Sequence, residues 1–133
     1  MNKDRPIAHE IAIEAARAVL QSHIDALNAR DENAIAATLH FPHYRLSGVD
    51  LKIWENADRY FDDFQTRAGT NWSRSEFNDI KVVDASDTKV HLDVEVRRYD
   101  RSQTCITRFR SLWVITKEGD HWAAKMRSSF ASL

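Results

Sequence analysis

From Val90 to Tyr99 the chain alternates residue by residue. Val90, Leu92, Val94 and Val96 are apolar, while His91, Asp93, Glu95 and Arg97 between them are polar or charged. A period of two belongs to a β-strand, in which side chains two apart share one face. A strand with one apolar face needs a second layer to cover it. That layer is available upstream. Between Ile7 and Arg30 the apolar residues Ile11, Ala15, Ala16, Val19, Leu20, Ile24 and Leu27 recur at three and four, the spacing of an amphipathic helix. The two patterns together predict an α+β chain with helices layered on one face of an antiparallel sheet.

Other signals fill in the order. Asp31 is an N-cap for a second, short helix over Glu32–Leu39, ended by Pro42. His43–Ser47 and Leu51–Glu55 read as short strands around a turn at Gly48-Val49-Asp50. Asn56 caps a third helix that runs through Arg67, closes at Gly69, and gathers Tyr60, Phe61 and Phe64 on one side. From about Ser73 to Phe130 four long strands follow. The expectation is a curved antiparallel sheet of four long and two short strands wrapping three helices of the N-terminal half. One domain spans residues 1–133, a length that suits a single core.

Turns set the register. A turn at Asp100–Gln103 places Tyr99 opposite Thr104 and pairs Val94 with Phe109, Val90 with Trp113, Glu95 with Arg108 and Asp93 with Arg110. A turn at Lys117–Asp120 places Thr116 opposite His121 and Trp113 opposite Ala124. Phe109, Ser111, Trp113, Met126 and Ser128 then face inward, and Arg97, Arg108, Arg110, Lys125 and Arg127 outward. Between Ser75 and Asp84, Phe77 is out of phase with Ile80 and Val82, so a bulge is expected there.

Composition excludes several classes. Nineteen basic residues against twenty acidic ones leave a net charge of −1, which speaks against a nucleic-acid partner. Arg97, Arg98, Arg101, Arg108 and Arg110 crowd one hairpin, but Asp93, Glu95 and Asp100 neutralise them. A salt-bridged outer face follows, and with Leu112, Ile106 and Ala123 it suits a homodimer interface. The single Cys105 forms no internal disulfide. His40 and His43 have the spacing His-x-x-His, but Pro42 separates them and no acid or cysteine completes a ligand set. No metal and no cofactor are expected. Met1–Glu10 has no secretory apolar core, and no apolar run reaches the roughly 18 residues of a membrane span, so the expected location is cytoplasmic and no membrane partner is expected.

Three stretches carry a resemblance: Val19–Asp31, His40–Leu46, and the closing hairpin Leu112-Trp113-Val114 with Gly119-Asp120-His121-Trp122. Over residues 10–130 the chain resembles the nuclear transport factor 2-like superfamily, in its SnoaL-like and ketosteroid-isomerase-like branch. The resemblance implies a conical sheet around a helix, with a pocket at the open end. The superfamily includes ketosteroid isomerase, scytalone dehydratase, limonene epoxide hydrolase and SnoaL-like cyclases, and also binding modules without catalysis. Where ketosteroid isomerases place a tyrosine on the first helix, this chain has His23. The position of the catalytic carboxylate falls near Ser47, and that of the second acid near Arg110 or Ser111. With neither acid present, the isomerase reaction is not expected.

His23 lies on the apolar stripe of the first helix, either as a donor or general base in the pocket or as a buried histidine satisfied by a neighbour. His43, Arg45 and Ser47 share one side of the first strand, where they either orient an anionic or carbonyl ligand or form a solvated edge. The catalytic candidates are His23 and His43. The ligand-positioning candidates are Arg45, Ser47, Trp54, Phe109, Ser111, Trp113, Met126 and Ser128. Asp58 and Asp62 fall on an exposed helix face. No nucleophile triad, phosphate loop or dinucleotide motif is present. The sequence thus reads as a small-molecule-binding domain for a hydrophobic or aromatic organic ligand. It is either an acid–base isomerase, cyclase, dehydratase or hydrolase, or a non-catalytic ligand-binding or dimeric interaction module.

Overall fold

The structure is a computed structural model that describes residues 7–131. Met1–Pro6, read above for a targeting signal, lie outside the described residues. The elements in chain order are α1 (Ile7–Ala29), α2 (Glu32–Ala37), β1 (Leu39–Ser47), β2 (Asp50–Trp54), α3 (Tyr60–Ala68), β3 (Arg74–Ala85), β4 (Lys89–Tyr99), β5 (Cys105–Glu118) and β6 (His121–Ser129). The six strands form one sheet in the order β2-β1-β6-β5-β4-β3. All neighbours are antiparallel except β1 and β6, which run parallel. The sheet is therefore mixed, not purely antiparallel as expected.

α1 lies on the sheet with Ala16, Leu20, Ile24 and Leu27 buried against Val90, Leu92, Val94 and Ile115. Fully burying an aliphatic side chain of this kind contributes about 1.5–3 kcal/mol. Ile11 is 62% exposed and not part of the stripe. It precedes Leu20 by nine residues, about two and a half turns, which turns it to the opposite side; Ala12 packs instead. Arg30, at φ 55°, closes the helix.

α2 starts as expected: the Asp31 carboxylate accepts the Ala34 N–H at 3.1 Å. It ends earlier than expected, because Leu39 pairs with β6 and the Ala124 N–H donates to the Thr38 carbonyl at 2.8 Å. Pro42 lies inside β1 and does not terminate the helix. Asn56 caps only a turn, accepting the Asp58 N–H at 3.0 Å, and α3 begins four residues later at Tyr60.

The β4–β5 pairing is displaced by two residues from expectation. Val94 opposes Ser111, Val96 opposes Phe109, and Leu92 opposes Trp113. The loop is longer than a four-residue turn: the Asp100 N–H reaches the Thr104 carbonyl at 3.0 Å, and Ile106 is bulged out between Arg98 and Tyr99 of the partner strand. A displacement of two leaves every side chain on its expected face. It does alter the ion pairs. Glu95 bonds Arg97 at 2.7 Å instead of Arg108, while Arg110 reaches Asp93 at 2.9 Å.

The β5–β6 hairpin differs in kind. Gly119 and Asp120 make a tight turn that sets Glu118, not Thr116, opposite His121 and Ile115, not Trp113, opposite Ala124; farther along, Val114 opposes Met126. Lys125 is an extra residue, a bulge, and one extra residue inverts the faces beyond it. Arg127 and Ser129, 5% and 3% exposed, are turned inward. Met126, 41% exposed, and the partly buried Ser128 are turned outward. The inward placement of Met126 and Ser128 and the outward placement of Arg127 are thereby corrected. In β3 the expected bulge is present between Asn78 and Lys81, and it lets Phe77, Ile80 and Val82 all pack on the core.

Candidate functional site

Between α1, α3 and the inner face of the sheet lies a small hollow of about 30 Å³ that opens to solvent at its mouth. α1 contributes His23, Ile24 and Leu27, and α3 contributes Tyr60, Phe64 and Arg67. The strands contribute Arg45, Phe77, Arg98, Phe109, Ser111, Trp113, Arg127 and Ser129, among others. Each placement has a local cause. Arg98 continues the even-numbered stripe of Val90 to Val96. Arg67 stands three residues after Phe64 and seven after Tyr60, on one side of α3. Arg127 is brought in by the Lys125 bulge.

His23 is 2% exposed, among the rings of Tyr60, Phe77 and Trp113. Its Nδ1 is 2.8 Å from Thr38 Oγ1. That hydroxyl already donates its proton to the Ile35 carbonyl at 2.7 Å, so it must accept here, and Nδ1 carries the hydrogen. Nε2 is then the unprotonated nitrogen, and it has no partner among the described residues. Burial, followed by repulsion from Arg127 and Arg67, lowers the pKa of His23 to about 3.

His43 is fully buried. Its Nδ1 donates to the Ala124 carbonyl at 3.0 Å, and its Nε2 accepts from Arg127 Nη1 at 2.9 Å. Neither nitrogen is free for proton exchange, and burial followed by Arg127 lowers the pKa to about 2. Arg127 Nη1 also donates to the Tyr60 hydroxyl at 2.7 Å, which leaves the tyrosine proton free to donate elsewhere. His43 thus holds Arg127, and Arg127 orients Tyr60.

The other candidates divide. Arg45, Phe109, Ser111 and Trp113 line the hollow. Arg45 is 4% exposed, which removes the solvated-edge reading. Ser111 and Ser129 hydrogen-bond to each other. Ser47 is buried outside the hollow, 3.4 Å from the Ala131 carbonyl. Trp54 stands behind Tyr60 and donates to Asp63 at 2.9 Å. Arg67, Arg98, Arg127 and Tyr60 were not among the sequence candidates.

Four guanidiniums therefore line one hollow, with no Asp or Glu among the described residues of its wall. Arg45, Arg67 and Arg98 make no hydrogen bond or ion pair among the described residues, and each leaves its Nε buried without a partner. Arg98 lies 4.9 Å from the Phe109 ring and Arg127 4.8 Å from Trp113, contacts that seat a cation without neutralising it. Burial and then repulsion from Arg127 lower the pKa of Arg45 to about 9 and of Arg67 and Arg98 to about 10, so all remain charged at neutral pH. Among the described residues no group of three or more His, Cys, Asp or Glu is placed to hold a metal.

No family profile and no curated protein matches this chain in sequence. Solved structures do match in fold. An NTF2-like protein of unknown function from Pseudomonas putida superposes with a TM-score of 0.71 at 16% identity, over 93% of this chain and 89% of that one. A candidate scytalone dehydratase from Novosphingobium aromaticivorans gives 0.71 at 13% identity, over 95% and 87%. LinA gives 0.66 at 12% identity, over 96% and 90%. The chain has the nuclear transport factor 2-like fold, as its sequence resemblance implies.

Proposed function

We propose that this chain binds a small organic molecule in the hollow between α1, α3 and the sheet. The observation that carries the reading is the wall itself: aromatic and aliphatic side chains interleaved with convergent polar groups, four of them guanidiniums. Native mass spectrometry of freshly purified protein tests it. A small molecule should be retained, and Val96→Phe, which fills the hollow, should abolish retention while the fold persists. Absence of any adduct, together with no thermal stabilisation by small aromatic compounds, would overturn it.

One observation favours a second reading, an acid–base enzyme like the dehydratase named above. His23 presents an unprotonated Nε2 without a partner, beside the available Tyr60 proton. Binding remains the better reading. A base whose conjugate acid has a pKa of about 3 is weak at neutral pH, and no carboxylate lines the hollow to raise it.

The same proposal includes a homodimer in a cytoplasmic setting. No helix among the described residues is long and apolar enough to cross a membrane. On the outer face Ile53, Tyr44 and Met126 stand in one row across β2, β1 and β6, with Leu51 and Leu46 in the next. This patch shares the outer face with the expected interface residues Leu112, Ile106 and Ala123, of which Ile106 is exposed and Ala123 is buried. Sedimentation at micromolar protein should give twice the 15.4 kDa chain mass, and Met126→Glu should return it to one. A single-chain species in the unmutated protein would remove the dimer.

A further inference from the structure

Among the described residues, four buried side-chain nitrogens lack a hydrogen-bond partner: Arg45 Nε, Arg67 Nε, Arg98 Nε and Trp113 Nε1. All four belong to residues lining the one hollow, and all four are donors. The one unpartnered acceptor beside them among the described residues is His23 Nε2, so donors outnumber acceptors four to one. Proteins pair nearly all their buried polar groups, so a cluster of one sign in one place has a cause.

The charge tells the same story. The hollow gathers four guanidiniums and no carboxylate. One acid of α3, Asp63, acts on Arg67 from outside the hollow, but its oxygens are shared with other partners: it accepts the Trp54 indole N–H at 2.9 Å and lies 3.6 Å from Lys52 and 3.7 Å from Arg59. Cations of like sign brought together away from water repel unless an anion joins them. The missing component is an acceptor that carries negative charge.

We infer that the ligand is a small aromatic carboxylate, its anionic end taken by Arg45, Arg67, Arg98 and Arg127 and its ring by Phe77, Phe109 and Trp113. The inference rests on the small-molecule reading above and supplies its chemical class. A carboxylate matches the planar donor fork of a guanidinium. The aromatic walls would be wasted on a bare inorganic anion. Arg45 and Arg67 also line an outer groove with Lys52, Trp54, Asp63 and Thr66, where three cations outnumber one carboxylate, so a net basic surface continues from the hollow to the exterior and offers an anion a way in.

Calorimetric titration with benzoate, benzamide and inorganic phosphate tests it. Benzoate should bind at least tenfold more tightly than benzamide and than phosphate, and its affinity should fall as chloride is raised. Arg98→Met should lose at least tenfold in benzoate affinity while unfolding at a higher temperature without ligand, a combination that a merely structural arginine would not give. Should that variant not fold, Arg67→Gln must show the same loss of affinity. Benzamide equal to benzoate overturns the anion and leaves the small-molecule reading standing. Phosphate equal to benzoate overturns the organic ligand. If none of the three binds, the inference falls; if a retained molecule is then found and is neutral, it falls alone.

Discussion

On the outer face of β3, β4 and β5, Arg74 meets Glu76 at 2.7 Å, Arg97 meets Glu95 at 2.7 Å, and Arg110 meets Asp93 and Asp79 at 2.9 and 3.0 Å. On the inner face Arg45, Arg98 and Arg127 meet no carboxylate among the described residues. The outer pairs stand in solvent, which screens them. They fix strand alignment more than they hold the fold. The inner cations are out of water and repel one another, so they destabilise the empty protein. One side chain type serves two ends: outside it is matched within the chain, and inside it is left for something beyond the chain.

Acid should separate the two regions most strongly. His23 and His43 titrate near 6.5 when unfolded and at about 3 and about 2 when folded, so below pH 6.5 the unfolded chain binds the additional protons. Stability is fully present above 6.5 and is lost as the pH falls. Between pH 7 and 5 the two imidazoles should together remove about 4 kcal/mol, read by urea unfolding. The outer carboxylates Glu76 and Asp79, held below their ordinary values by Arg74 and Arg110, should begin to act only at lower pH. Stability that is flat from pH 7 to 5 would mean the imidazoles are not buried neutral. Next in size is the sign of an arginine substitution. Arg98→Met should stabilise the ligand-free protein by about 1–2 kcal/mol, as when hydrophobic residues replace buried charge. Smallest is Arg110→Met, which should destabilise by about 0.5–1 kcal/mol. Equal signs for the two in urea melts would erase the distinction between the faces.

The parts of this arrangement differ in how far the sequence discloses them. The helical stripe of α1 and the alternation of β4 are periodic, and period survives small errors of register. β4 and β5 pair two residues away from the expected register, yet Phe109, Ser111 and Trp113 still face inward. Arg98 and Arg67 are legible as continuations of patterns whose apolar members precede them. Arg127 is not. Its entry depends on a bulge set by how β6 lies between β1 and β5, and the apolar Met126 beside it points a local reading the wrong way. The roles of His23 and His43 are equally hidden, because Thr38, Ala124 and Arg127 reach them only in the folded chain.

The bulge at Lys125 works on the chamber as a frameshift works on a message. Upstream of it everything reads as before; downstream each residue takes the meaning of its neighbour. Were the same residues to run as a regular ladder without that bulge, Met126 and Ser128 would face the interior and Arg127 and Ser129 the outside. The hollow would then lose the arginine that His43 holds and gain a thioether in its place. A charged chamber and a greasy one thus stand one step of register apart on the same scaffold, and the character of the cavity is set by where the strand stumbles as much as by which side chains it carries.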